Sequence, residues 1–503
     1  MNALKHFFAL YVTLIALTAH GNAEDLRWGA DVESGAPFSF NNPQNPGEII
    51  GFESEMMTEI AKRLNKNSVF VQNSWDGLIE GLERKNYDLV VNGLEITPDR
   101  AQKVLFSKPY LITTQTLAVH KDTYLINSID DLQQKKVGTL DGSLAHRILK
   151  SLTFPLEIAT YDEEVLAYND LANGRLQAIL LDEPIYLYYG KPNKNIKRTG
   201  PPIGYMEYGI AFRKSDATLL NEVNSALGSM IADGSMRSIL EKWGLWNEIT
   251  ARAWGQEATP REEAIHYEEF LKFNGQELGF YDIALRYLSF LPLLAKGAVM
   301  TLKISIVAMI LAIIVGLMIA LLRLYGPKPL SFLALSFVEI FRGTPLLIQL
   351  YLIFYGLPHV GIRLNPFSAA VIGLGLNYGA CEAENYRAGI LSVPKAQMDA
   401  SQALGMTQFQ ALRHVIIPQA MRLVIPPVTN DFIALLKDSS LVSVITMVEL
   451  TTIYGQLAST YFDYLGVGLL AASVYFIIGL PFVRLSRYFE SQLSQKKLRK
   501  VKT

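Results

Sequence analysis

The feature that most constrains this chain is the uneven spread of its apolar residues. Up to Leu291 the sequence is an ordinary soluble mixture, whereas beyond it long apolar runs dominate. Stretches 304–322 and 464–483 are free of charge, each near the ~20 residues a helix needs to cross a bilayer. Between them, 330–357, 367–391 and 423–447 are apolar but interrupted by charges. The pattern predicts a soluble half followed by an all-α membrane half of about five spans. Arg323 and Lys328 flank the first turn, and Arg387, Lys395, Arg413 and Arg422 surround the third connection. Arg484, Arg487, Lys496, Lys497, Arg499, Lys500 and Lys502 crowd the tail, while the opposite loops hold only Arg363. Basic loops stay cytoplasmic, so five spans with a cytoplasmic tail put the soluble half outside. The N-terminus agrees. Lys5, a short apolar stretch at 7–17, then Gly21 and Ala23 have the form of an export signal (1–23) cut after Ala23. An uncleaved anchor would export the same half.

Residues 24–246 alternate strands (26–30, 87–92, 116–120, 136–140, 178–181) with helices (56–64, 78–84, 165–173, 219–233). That alternation predicts an α/β architecture with largely parallel sheets and a ligand site at the strand ends. Residues 247–291 form an acid-rich connector. Thr259, Pro260 and Glu262 have the spacing of a capping box with proline at the first helical position, so a short helix is expected there. A wholly flexible connector would average roughly 35 Å end to end. Residues 292–503 are the membrane domain.

Several function classes are excluded or weakened. A net charge of −1 argues against a nucleic-acid surface. The single cysteine, Cys381, permits neither an intrachain disulfide nor a cysteine-based metal cluster, and the seven histidines show no metal-binding spacing. No phosphate-binding loop is present; Gly190-Lys191 lacks both the upstream glycine and the following hydroxyl residue. No convincing nucleophile–base pair suggests an enzyme, and no metal or cofactor site is expected. Within the spans, Glu339 and Arg342 are spaced to meet on one helical face, and Lys437 and Asp438 follow Asp431 in the fourth. They either line a translocation path or pair between helices.

Four segments carry a resemblance: GFESEMMTEIAKRL at 51–64, WDGLIEGLERKNYDLVVNGLEITPDR at 75–100, VGTLDGS at 137–143 and LLDEP at 180–184. In these the soluble half resembles the solute-binding proteins of polar amino-acid uptake systems, which have a two-lobed periplasmic-binding-protein fold (type II). The resemblance implies that Arg100 receives the ligand's α-carboxylate, a task suited to its planar fork. It further implies that Asp182 receives the α-ammonium, that the Gly142–Ser143 turn donates to the carboxylate, and that Trp75 walls the side chain. On the residues alone, Arg100 could instead pair with Asp99 or Glu95, Asp182 could cap a helix before Pro184, and Trp75 could be core. Glu95 stands where a small hydroxyl residue is usual. With Asp31, Glu33 and Asp182 it would surround Arg100 with acid, which favours a cationic or polar neutral ligand over glutamate.

Segments 339–358, 377–406 and 415–445 resemble the permease subunits of the same ATP-driven importers, the histidine, glutamine and arginine uptake family, with a type I importer membrane fold. There Asp399, Ala400, Gly405 and Pro418 match the cytoplasmic loop that grips the ATPase, and an acid near the loop helix's start with glycine at its exit would make a compact knob. The resemblance implies an amino-acid ligand, a separate ATPase dimer that binds the ATP, and a permease homodimer in a bacterial cytoplasmic membrane. A ligand-gated channel on the same binding fold is the alternative, but such channels interrupt the binding domain with their pore, and here residues 24–246 run on unbroken.

Overall fold

The computed structural model describes residues 24–275 and 279–501; the export signal expected at 1–23 lies outside them. The soluble half forms two lobes, each built on a five-stranded sheet. In the first the order is Asn67–Gln72, Asp25–Ala30, Leu89–Val90, Ala211–Phe212, Leu105–Phe106. In the second it is Ile196–Tyr208, Leu111–His120, Ala178–Asp182, Lys136–Leu140, Glu157–Tyr161. Three neighbouring strands of each sheet are parallel; Ala211–Phe212 and Leu111–His120 run antiparallel to both neighbours. The expectation of largely parallel sheets therefore holds for only part of each. The chain passes from the first lobe to the second and later returns, and these two passages run in opposite directions. They are stitched together by Tyr110 N–H to Tyr208 O (3.0 Å) and Ser107 N–H to Ile210 O (2.9 Å).

The connector is not a tether. Helices span Glu248–Ala253 and Ile265–Gly275, but none starts at Thr259. Instead the buried Glu241 carboxylate accepts from the N–H groups of Arg261 and Glu262 (3.0 Å each), and Arg237 donates to Thr259 O (2.7 Å). A side chain from another helix thus takes the donors that a local cap would have used. Phe270 is buried with its ring 4.8 Å from that of Tyr188, a contribution of about 1.5–3 kcal/mol. The random-coil distance does not apply to a segment packed in this way.

We label Leu144–Ser151 in the second lobe α1 and number the membrane helices onward: α2 Phe280–Tyr325, α3 Lys328–Gly343, α4 Pro366–Leu391, α5 Lys395–Ala403, α6 Ile417–Asp438, α7 Leu450–Tyr461 and α8 Tyr464–Val501. By length and apolarity alone, α2 and α8 can each cross a membrane, and α3 with the following segment 346–360 makes a third, bent by 108°. The bend falls at Thr344-Pro345; a residue before proline is pushed out of the helical region, and Thr344 is extended. α4 and α6 occupy the third and fourth expected stretches, α6 giving way to a 3₁₀ turn at Ser439–Ile445. α2 has 46 residues, about 69 Å at 1.5 Å per residue. That is over twice the hydrocarbon thickness, so one end stands clear of the membrane. There Arg286 lies over Phe273 of the connector (5.0 Å) and Tyr461 of α7 (5.4 Å). The short α7 was not foreseen. Buried Glu449 caps it, accepting from Thr451 N (2.8 Å), Thr452 N (3.1 Å) and Thr301 Oγ1 (3.1 Å).

Candidate binding cleft and membrane interface

The cleft between the lobes is shut. Thr97 caps the single turn Pro98–Ala101 and aims Arg100 across the gap. There Arg100 forms an ion pair with Glu95 and donates to Gly142 O of the second lobe (3.4 Å). Its guanidinium lies 5.3 Å from the centre of the Trp75 ring, and Trp75 Nε1 donates to Asp141 O of the second lobe (3.3 Å). Asp182, at the end of its strand, accepts from Gln115 Nε2 (2.6 Å) and from the Tyr208 hydroxyl. It makes no capping bond to the following turn, so the capping alternative falls away. The cavity left between the lobes is about 20 Å³ and is lined by Phe38, Trp75, Glu95, Ser143, Glu164 and Asp182 among others, room for about one water.

Two expectations need correction. Asp31 does not face this cavity. Its carboxylate is engaged by Glu33 N–H (3.0 Å), Gln72 Nε2 (3.0 Å) and Trp75 N–H (2.7 Å), all within the first lobe. Ser143 does not offer its hydroxyl to a ligand: it caps α1 by accepting from His146 N–H (3.1 Å) and donates to Leu140 O (2.8 Å). The α1 donor that faces the cleft is Leu144 N–H, and Glu95 takes it at 2.9 Å. Gly142 holds the left-handed backbone (φ 65°) that a turn into α1 needs.

Sequence reasoning missed Gln115, Tyr208 and Glu164. The first two lie on the strands passing between lobes, whose pairing no local pattern announces. Glu164 sits in the first turn of helix Glu164–Ala172, an unexceptional place for an acid, yet it is 5 % exposed and one of its oxygens has no partner. Burial pushes Asp182 up to about 7, with nearby Glu95 adding to the shift, and burial raises Glu164 strongly. The cleft therefore presents several carboxylates to a single guanidinium.

Both lobes rest on the membrane half. From the first lobe, Arg84 lies over the Phe354 ring (4.1 Å), and Pro43 O accepts from Tyr461 (2.9 Å). From the second, Glu163 accepts from Tyr464 (2.6 Å), and Tyr189 packs on Phe462 (5.3 Å). Between them is a cavity of about 550 Å³, walled above by Trp75, Asp141 and Glu163 and below by Tyr351, Thr451 and Tyr454. Trp75 and Leu140 line both this cavity and the cleft.

At the other end of the membrane half, Pro394 sets the start of α5 at Lys395. Asp399 therefore lies in the helix's middle, not near its positive end, and the dipole argument for it does not hold. Gly405 does make the tight exit, with φ 85°, its N–H bonded to Gln402 O (2.9 Å) and Met406 N–H to Ser401 O (3.1 Å). Ala400 is exposed, as is Pro418 in the first turn of α6. Leu404 (81 % exposed) and Phe409 (70 %) flank the exit; this pair was missed because apolar residues beside a span read as part of it. Within the spans, the expected partnership of Glu339 with Arg342 is absent from the ion pairs among the described residues. Glu384 instead pairs with Arg323 and with Arg387 (2.9 Å). Asp438 accepts from Tyr378 (2.7 Å), and Glu339, Arg342 and Lys437 are exposed on this single chain.

Residues 26–245 match the model of bacterial extracellular solute-binding proteins, family 3, and residues 312–495 that of the binding-protein-dependent transport system inner membrane component. The L-cystine transport system permease protein TcyB of Bacillus subtilis (strain 168) is 42% identical over 191 residues, 38% of this chain and 82% of that protein. The L-cystine-binding protein TcyJ of Escherichia coli (strain K12) is 35% identical over 209 residues, 41% of this chain and 78% of that protein. The chain belongs to the amino-acid ABC transporters. Substrate-binding and permease domains, separate proteins in those two relatives, are joined here in one multi-pass inner-membrane polypeptide. Among solved structures, an ancestral arginine-binding protein bound to arginine is 33% identical and covers 44% of this transporter and 99% of its own chain, with a TM-score of 0.42.

Proposed function

We propose that this transporter captures a polar L-amino acid outside the cytoplasmic membrane and passes it directly into its own permease half, driven by a separate ATPase dimer on the cytoplasmic side. The shared wall at Trp75 and Leu140 carries this reading. A ligand released by the opening lobes emerges into a cavity whose far side is permease, so capture and translocation are continuous in space. In the cleft, Arg100 is the carboxylate receptor, beside the Gly142–Ser143 turn and Leu144 N–H. Asp182 and Glu164 remain for ammonium or guanidinium groups, since a zwitterion leaving water needs both charges matched.

That surplus of acid favours a ligand with more than one cationic group. L-Arginine and L-lysine meet the requirement with one carboxylate each; L-cystine brings two ammonium groups but also a second carboxylate, and relatives of both halves are named for it. The motor docks, on this reading, at the α5–Gly405 turn, where exposed Leu404 and Phe409 suit an apolar groove on a partner. A homodimer accounts for Glu339, Arg342 and Lys437, because charges facing lipid are costly and a second copy covers them. The basic loops and tail keep that end cytoplasmic.

The test is a ligand screen on the purified full chain, read by tryptophan fluorescence. All five tryptophans lie between Trp28 and Trp254, four in the binding domain and one in the connector packed against it, and none in the membrane half. Saturable binding of L-cystine or a cationic L-amino acid, weakened at least ~30-fold in Arg100→Ala as expected for removing one partner of a buried charge pair, supports the reading. Unchanged affinity in that variant removes Arg100 from the site.

A further inference from the structure

The Glu95 carboxylate bridges the two lobes. It is 2 % exposed, and one oxygen is paired with the Arg100 guanidinium of the first lobe. The other accepts from Leu144 N–H at the start of α1 in the second lobe, at 2.9 Å. A guanidinium and a free helix-start N–H facing each other across a cleft make a seat for one carboxylate. That is the seat assigned above to the ligand, and a side chain of this protein sits in it. Other contacts between the lobes are Ala36 N–H to the Tyr189 hydroxyl at 2.7 Å, Trp75 Nε1 to Asp141 O at 3.3 Å, Arg100 to Gly142 O at 3.4 Å and Arg147 to Thr97 Oγ1 at 3.5 Å, and none of them occupies the carboxylate seat. With Glu95 in place only about 20 Å³ is left, so no amino acid fits beside it.

We propose that Glu95 is a built-in carboxylate latch, which takes the ligand's place between Arg100 and the start of α1 and holds the lobes together before ligand arrives. The proposal rests on the amino-acid-binding reading for the meaning of that seat, but the bridge itself does not depend on it. Two consequences follow. The lobes close on their own, so closure alone does not report a loaded domain. Ligand must also displace Glu95, so affinity is reduced by the fraction of chains with the latch open. A minor open state of 0.1–10% is ordinary for such equilibria, which makes the reduction about tenfold or more.

The experiment uses the full chain in lipid nanodiscs with Cys381→Ala, spin-labelled at Lys103→Cys and Lys150→Cys, both exposed and one on each lobe. Without ligand, the latched parent is expected at a short inter-label distance. Glu95→Ser, too short to bridge, is expected to move most of the population to a longer one, and L-cystine or L-arginine to bring it back. The same amino acid should bind about tenfold or more tightly to Glu95→Ser than to the parent. Glu95→Gln keeps the side chain's size while removing its charge and is expected to fall between; it decides the matter if the serine variant loses its folded tryptophan signal. A distance unchanged in the variant without ligand overturns the latch. So does weaker binding, which would mean that Glu95 holds the ligand's ammonium instead. If neither protein binds any amino acid, the ligand reading fails, while the ligand-free distances still decide the latch.

Discussion

Replacing Gly405 tests the coupling of the permease to its motor at a single backbone torsion. The residue joins α5 to the helix Gln408–Ala411, and both ends of that turn are fixed. Gly405 N–H and Met406 N–H bond back to α5, and Thr407 forms a capping box with Gln410. The angle between the two helices therefore depends on the φ of 85° at Gly405. A Cβ added there meets nothing within 4 Å, so no clash contributes and the penalty is conformational. An L-residue in the left-handed region costs about 1–2 kcal/mol, and more when β-branched. At about tenfold per 1.4 kcal/mol, Gly405→Val depletes the turn by roughly 5–30-fold or more. Folding and insertion should survive, because the turn is exposed. Asparagine tolerates this region better than alanine, and alanine better than valine, so activity should fall in the order Gly, Asn, Ala, Val. The assay is ligand-stimulated ATP hydrolysis and uptake in vesicles with the partner ATPase co-purified, with ligand binding as the control. Full coupling in Gly405→Val, or an order unrelated to tolerance of positive φ, refutes the reasoning.

Further outcomes concern the binding domain. Asp31→Asn should lower its stability by about 1–3 kcal/mol through weakened acceptance of three N–H groups, yet leave the ranking of ligands the same; a changed ranking in competition binding would return Asp31 to the cleft. Glu53 is fully buried, held by Tyr110 and Gly93 N–H (2.6 Å), and burial pushes it up to about 7 from an ordinary 4.5. The folded state then binds its proton more tightly than the unfolded one, so the contribution of Glu53 to stability is greatest below about pH 4.5 and falls as pH rises toward 7. The loss is about 3 kcal/mol over that window. Glu53→Gln should remove that share of the slope when thermal unfolding is followed by tryptophan fluorescence at several pH values, and an identical slope in the variant contradicts the assignment.

Much of this was legible in the sequence because it is local. The strands at 26–30 and 136–140, the clean apolar runs of α2 and α8 and the glycine at the exit of α5 each declare themselves within a few residues. What escaped depends on partners distant along the chain. Glu241 reaches twenty residues onward to keep Thr259–Glu262 from starting a helix. The acid excess around Arg100 suggested a ligand-facing ring. In the folded chain, however, Asp31 belongs to the backbone of its own lobe, and Glu95 neutralises the arginine it was thought to crowd. Nor does any spacing rule reveal that α7 caps the membrane half beneath the binding domain, with Gly455 against Glu33, since twelve uncharged residues between two spans look like the start of the next.

One chain is proposed to capture an amino acid and move it under the power of a separate ATPase. The most direct measurement is uptake of radiolabelled L-cystine and L-arginine into sealed vesicles holding the full chain, with and without the co-purified ATPase and ATP. Accumulation against a gradient is expected only when both are present, and is expected to be lost in Arg100→Ala. Uptake at the full rate without any ATPase, running down the ligand's own gradient, contradicts it.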